Sequence, residues 1–160
     1  MQEKLAVYLK QNLEKDKKIF MKQKKLFLEE ETYLGSYSKV DDFIDENKNE
    51  NDFQRLLFNY IDERNLKDSE VYNKVNIDRR LFSKIRNDKN YHPSKETVIL
   101  LAVALNLDEN DLENLLLSAS YSLPKNNYFD LIIRFCFKEK IFDLHKINEF
   151  LDNYNCKLLI

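Results

Sequence analysis

One glycine in 160 residues is the feature that most restricts the folds open to this chain. Glycine-rich phosphate loops, dinucleotide fingerprints and nucleophile elbows all need backbone conformations that glycine adopts at low cost. Gly35 alone cannot supply them, and two prolines are few for the turns of a β-sandwich or barrel. The sequence therefore predicts an all-α protein, with the length of one domain plus an extension or of two very small domains.

Charge is spread unevenly along the chain. The formal net charge of −2 disfavours a bulk binder of polyanions. Lys15–Lys25, however, contains six lysines and one acid, and Arg79–Lys95 contains six basic residues and one acid. Glu96–Ser122 has five acids and no lysine or arginine. Such local asymmetry indicates more about partners than the total charge does.

Few residues offer catalytic or metal-binding chemistry. Cys136 and Cys156 lie twenty residues apart, and together with His92 and His145 they lack the spacing of a metal site. We expect Cys136 to be a reduced core residue, and no serine or cysteine has a local nucleophile signature. The sequence thus predicts no catalytic residues, no metal and no cofactor, and a protein that is not an enzyme.

Membrane and export signals are also lacking in the sequence pattern. Met1–Lys10 has no continuous apolar segment of the kind that a signal peptide carries. The longest strictly apolar run, Val98–Leu105, has eight residues, far below the roughly 20 that span a bilayer. We therefore expect a cytoplasmic protein with no membrane partner.

Residues 1–46 are expected to form an N-terminal helical arm. A helix is predicted over residues 2–34 with its end at Gly35, where a helix-terminating glycine belongs, and Ser38 is expected to cap a second, short helix. An apolar residue recurs every seven positions at Leu13, Phe20, Phe27 and Leu34. This stripe fits an arm packed on its own domain or the seam of a homodimer. The polar run Asn47–Asn51 marks the domain boundary.

A regular series of helix caps follows this boundary. Each cap precedes apolar residues at helical spacing, and the five are Asp52, Asp68, Asp78, Ser94 and Asp108. The helix that contains Val98–Leu105 should be buried on most sides. Two more helices are predicted at Tyr128–Lys138 and Asp143–Asn153. We therefore expect a five-helix domain at 52–120 and a helical extension at 121–160 packed on its core.

The block at residues 68–87, DSEVYNKVNIDRRLFSKIRN, predicts a short helix, a turn at Val75–Ile77 and a second helix that starts at Asp78. It resembles the helix-turn-helix of phage repressors and of the xenobiotic-response-element (XRE, Cro/C1-type) regulators. The next segment, HPSKETVILLAVALNLDENDLENLL, is similar to the fourth and fifth helices of that family. The resemblance covers about residues 53–120 and implies a lambda-repressor-like five-helix domain in a bacterial variant; residues 121–160 lie outside the common family core.

Individual positions carry the resemblance with one departure. Ile77, Phe82 and Ile85 match the apolar positions that hold the second helix on the core. Asn76 stands where the family usually has the turn glycine, and asparagine tolerates a left-handed φ. Tyr72 stands where the family normally has alanine, because the two helices cross closely there. A tyrosine at this position is expected to push the helices apart or tilt them.

The resemblance implies that the second helix lies in the major groove of DNA. The DNA-binding residues that it implies are, at base edges, Arg79, Arg80 and Ser83 and, near phosphates, Lys84, Arg86, Asn87 and Lys89. The expected function is a sequence-specific double-stranded DNA-binding transcriptional regulator. Such proteins commonly bind as dimers across two-fold half-sites, so a homodimer is a further expectation.

Two other interpretations of the basic helix stay open. The arginines after Asp78 could form a solvated helix face without a ligand. Alternatively the basic helix could dock an acidic protein, which would make the chain a non-catalytic adaptor or regulatory module, for example in a mobile element or in phage defence. The salt dependence of binding separates nucleic acid from protein partners, because DNA binding releases counterions.

Overall fold

The computed structural model describes residues 2–48 and 52–160. These residues contain only helices and no β-strand, which confirms the predicted all-α class. The helices are α1 (Gln2–Asn47), α2 (Asp52–Glu63), α3 (Asp68–Lys74), α4 (Arg79–Asn87), α5 (Lys95–Ala104), α6 (Glu109–Ser118), α7 (Tyr128–Lys138) and α8 (Leu144–Asn153). The chain divides into two compact units, residues 1–48 and residues 49–160.

None of the helices in the described parts of the chain is both long enough and apolar enough to cross a membrane.

The first unit consists of α1, which continues through Gly35. The predicted helix end at Gly35 and the new helix at Ser38 are therefore wrong. A glycine inside a helix costs only about 1 kcal/mol, whereas a helix end exposes several unpaired carbonyl groups. The rings of Tyr33 and Tyr37 also contact each other across this turn, with 5.3 Å between their centroids. Residues 49–51 of the predicted boundary lie outside the described residues.

The second unit is built around α5. Every residue of Val98–Leu105 is buried, as predicted for a helix that is apolar nearly all round. Helices α3 and α6 pack on α5, α2 packs on α6, and α7 joins α6 to α8. Buried residues of the extension, such as Ile133, Phe137 and Leu151, belong to the same hydrophobic core as α5. The extension is thus part of one body with the helices before it.

Side-chain caps begin most of the helices in this unit. Oxygens of Asp78, Ser94 and Asp108 accept hydrogen bonds from backbone N–H groups two or three residues later, at 2.7 to 3.2 Å, which confirms these three caps. The cap predicted at Asp68 is wrong. Lys67 precedes α3, and its backbone N–H donates to the Glu70 carboxylate at 2.7 Å. The Asp68 carboxylate instead binds a side chain of α4.

Helix ends in this unit use residues other than glycine in the left-handed conformation. Asparagine is the commonest, because its short polar side chain tolerates positive φ. In each case the following residue donates its N–H to the carbonyl five residues earlier, as Leu107 does to Ala102 at 3.1 Å. The left-handed residues are Asn65, Asn76, Asn106, Ser120, Lys140 and Asn155. A glycine-poor chain can therefore still end its helices sharply.

Candidate nucleic-acid interface

Helices α3 and α4 are joined by a tight link whose conformation depends on Asn76. Its φ of 55° is left-handed, as predicted. The next residue, Ile77, is buried and donates its N–H to the Tyr72 carbonyl at 2.9 Å. Val75 is also buried. The two apolar side chains on either side of Asn76 anchor the link to the core, and α4 starts directly after Asp78.

The core side of α4 is apolar. Phe82 and Ile85 are buried, as their positions predict. The half-buried ring of Tyr72 lies against Phe82, with 5.5 Å between centroids, and α3 and α4 remain in contact. Tyr72 therefore lies beside Phe82 along a shallow groove of about 410 Å³ between the two helices.

The outer side of α4 is polar and positively charged. Arg79, Arg80, Ser83 and Lys84 are all exposed. Among the described residues, neither the Arg79 nor the Arg80 guanidinium forms an ion pair, and the Arg80 backbone N–H donates to the Asp78 carboxylate at 2.7 Å. The Lys84 ammonium lies 5.8 Å from the centroid of the Tyr91 ring. Two guanidinium groups at the start of α4 thus face solvent without an internal counter-charge.

Arg86 differs from the other cations because it is used inside the protein. Its guanidinium donates two hydrogen bonds to the Asp68 carboxylate, at 2.6 and 2.5 Å, and lies 4.0 Å from the centroid of the Phe58 ring. Paired donors of this kind match a carboxylate in a fixed geometry. Arg86 therefore ties α4 to the start of α3 and to α2.

The remaining predicted residues lie near the end of α4. The Asn87 amide donates to the Ser83 carbonyl at 3.0 Å and to its hydroxyl at 3.2 Å, so these two side chains are one turn apart on one face. Lys89 is exposed in the loop that follows the helix. The structure thus brings all seven predicted residues onto α4 and its following loop, with Arg86 turned toward α3.

Sequence reasoning missed two residues that position α4 and α3. The Gln54 amide, from α2, donates to the carbonyl groups of Ile85 and Asp88 at 2.5 and 3.0 Å. These bonds satisfy carbonyls at the end of α4. Lys74 donates to the Ala104 carbonyl at 3.0 Å, and partial burial lowers its pKa. No local signal could have found these contacts, because the partners are about 30 residues apart in the chain.

The rest of the described chain offers no competing metal site, since it contains no group of three or more metal-binding side chains. Cys136 is buried and free, and burial raises its pKa to about 11, so its thiol is unreactive at neutral pH. Comparisons with protein-family models, curated proteins and solved structures find no match to this chain. The candidate site is the outer face of α4, where exposed cationic side chains lie together.

Proposed function

We propose that residues 52–120 form a repressor-like helix-turn-helix domain and that the protein is a sequence-specific double-stranded DNA-binding transcriptional regulator. In this proposal α3 crosses the DNA backbone and α4 enters the major groove. The observation that carries the proposal is the exposed pair Arg79 and Arg80 at the start of α4, next to the left-handed turn at Asn76.

The position of these arginines supports a ligand. The first turn of a helix disfavours cations because its free N–H groups carry partial positive charge. The Asp78 carboxylate offsets part of this positive charge, because it accepts a hydrogen bond from the Arg80 backbone N–H. Neither guanidinium, however, has an internal partner among the described residues. A guanidinium offers the paired donors that match the O6 and N7 edge of guanine. Arg79 and Arg80, with Ser83, are thus our proposed base contacts.

The remaining residues receive different roles. Lys84, Asn87 and Lys89 are proposed to lie near phosphates, where amines and amides bind backbone oxygens. We propose that Arg86 affects DNA binding only by positioning α4, because its guanidinium already donates two hydrogen bonds to the Asp68 carboxylate. This separates residues that contact DNA from one that holds the contacting helix.

The test is duplex binding by matched variants. Arg79→Ala and Arg80→Ala should each cost about 1–3 kcal/mol and relax sequence preference, whereas Lys84→Ala should weaken binding to all sequences and reduce the salt slope by about one unit. Lys138→Ala, an exposed lysine at the end of α7, is the control and should bind as the unmodified chain does. Random duplexes and DNA from around the protein's own gene should be compared between about 50 and 200 mM salt. If neither kind of DNA binds at a protein concentration of about 10 μM, the proposal is refuted.

A second candidate function is the protein-docking adaptor, in which α4 binds an acidic protein. It is favoured by the Glu70 carboxylate in the first turn of α3, the helix that would cross the DNA backbone; the Asp68 carboxylate in the same turn is already paired with Arg86. A phosphate backbone that runs along this turn would be repelled by Glu70, whereas a protein partner can place its acidic groups opposite the arginines alone. This function would be identified if the chain bound no DNA but captured an acidic protein, and if Arg79→Ala weakened that capture.

A further inference from the structure

Helix α1 carries a large apolar surface that nothing within its own unit covers. Its 46 residues extend over about 69 Å at the usual helical rise. All of its described side chains are exposed except Asn12, which is half-buried. Leu13, Phe20, Phe27 and Leu34 are each more than 60% exposed. Continuous apolar surface of this extent on a soluble protein marks an interaction site.

Most of the apolar residues of α1 lie in three columns with a spacing of seven, which also contain some polar residues. Column A consists of Leu5, Asn12, Ile19, Leu26, Tyr33 and Val40. Column B consists of Ala6, Leu13, Phe20, Phe27, Leu34 and Asp41. A middle column lies between them on the helix surface and consists of Leu9, Asp16, Gln23, Glu30, Tyr37 and Ile44. A strict seven-residue repeat is what helices use to pack along one another in a supercoil.

The charges of α1 are divided between its two halves. Residues 2–25 contain eight lysines and three acids, whereas residues 26–47 contain seven acids and one lysine. Two such helices in parallel would place like charges along each other over the whole length. In antiparallel orientation the basic half of each helix lies along the acidic half of the other. Charges beside an apolar seam set the orientation of helix pairs in this way.

We propose that α1 pairs with α1 of a second copy of this chain in antiparallel orientation, with the two middle columns facing each other, column A beside column A of the second copy and column B beside column B of the second copy. In the register in which residues 6–47 of the two helices overlap, the numbers of facing residues in the middle column add up to 53. Ile19 then lies beside Tyr33 of the second copy, and Phe27 lies beside Phe27 of the second copy. Beside the seam, Lys22 lies next to Glu29 of the second copy.

The middle column explains why this register is tolerated. Its polar residues lie in the central heptads, and Gln23 faces Glu30 of the second copy, so that a buried amide meets a hydrogen-bond acceptor. Its ends are apolar, and Leu9 faces Ile44 of the second copy. The three columns hold 18 residues per copy. With the charged positions beside them, the contact reaches the roughly 20–30 residues per side of stable interfaces.

Cysteine cross-linking distinguishes the orientations. In a Cys156→Ser background, Asp16→Cys and Tyr37→Cys are purified separately and then mixed under oxidising conditions. Positions 16 and 37 face each other in the antiparallel register, so the mixture should give a disulfide-linked dimer of twice 19.3 kDa, and neither protein alone should. In the antiparallel pair the two copies of position 16 are about 31 Å apart, too far for a disulfide. Cross-linking of Asp16→Cys with itself would show a parallel pair and overturn the proposal.

A matched pair of surface variants tests the seam without cross-linking. Phe20→Asp with Phe27→Asp changes column B and should convert the dimer to a monomer in light scattering. Met21→Asp with Leu28→Asp changes the two neighbouring residues, which are also at least half exposed but lie outside all three columns, and should leave the dimer intact. Equal effects of the two pairs would overturn the proposal. A mass of 19.3 kDa for the unmodified chain at every concentration up to its solubility limit would overturn it too.

Discussion

Removal of the Arg86 side chain should loosen the junction of α2, α3 and α4. Arg86 makes two hydrogen bonds to Asp68 and lies over the Phe58 ring at 4.0 Å. The two charged side chains are about 40% exposed, so solvent screens the pair, which we value at about 0.2–1 kcal/mol. The cation–π contact adds about 0.5–1 kcal/mol. Arg86→Ala should therefore lower the free energy of unfolding by about 0.7–2 kcal/mol.

Urea unfolding followed by circular dichroism measures this loss. Arg80→Ala is the matched control, because that side chain has no internal partner among the described residues and should change stability by less than about 0.5 kcal/mol. Arg86→Lys keeps the charge but not the paired donors, so it should not restore the loss. A double-mutant cycle with Asp68→Asn isolates the ion pair. If Arg86→Ala were no less stable than Arg80→Ala, the positioning role of Arg86 would be refuted.

Three further predictions follow from single contacts. Asn76→Gly should keep the free energy of unfolding unchanged, because glycine adopts the φ of 55° freely. Asn76→Val should lower it by about 1–2 kcal/mol, as measured by urea unfolding. Equal stabilities of the two variants would contradict this reasoning. Lys95→Met should lower the free energy of unfolding by about 3 kcal/mol, because it removes the 2.6 Å partner of the buried Asp130 carboxylate. The control Lys125→Met changes an exposed lysine and should lower it little. A small loss for Lys95→Met would show that the Asn127 amide alone satisfies Asp130. Because burial raises the pKa of Cys136 to about 11, a thiol reagent near about pH 8 should modify Cys156 first and Cys136 only after denaturant is added; simultaneous modification would argue against a closed core.

Much of the second unit was predictable because its signals are local. A helix cap such as Asp78, Ser94 or Asp108 bonds to an N–H two or three residues away, so the sequence there is enough to place the start of a helix. The left-handed Asn76 depends equally on its own side chain. The prediction of helix Tyr128–Lys138 matches the observed bounds of α7 at both ends.

Tertiary contacts decided what local patterns could not. Asp68 has the sequence features of a cap, but Arg86, 18 residues later, takes its carboxylate, and this pairing depends on how α3 and α4 pack. Gly35 has the sequence features of a helix end, yet α1 continues through it to Asn47, since a glycine inside a helix costs only about 1 kcal/mol. The sequence determined which segments become helices and which residues carry positive charge on α4. Only the folded structure decided which of those charges form ion pairs inside the protein, since such pairs require groups far apart in the chain to meet.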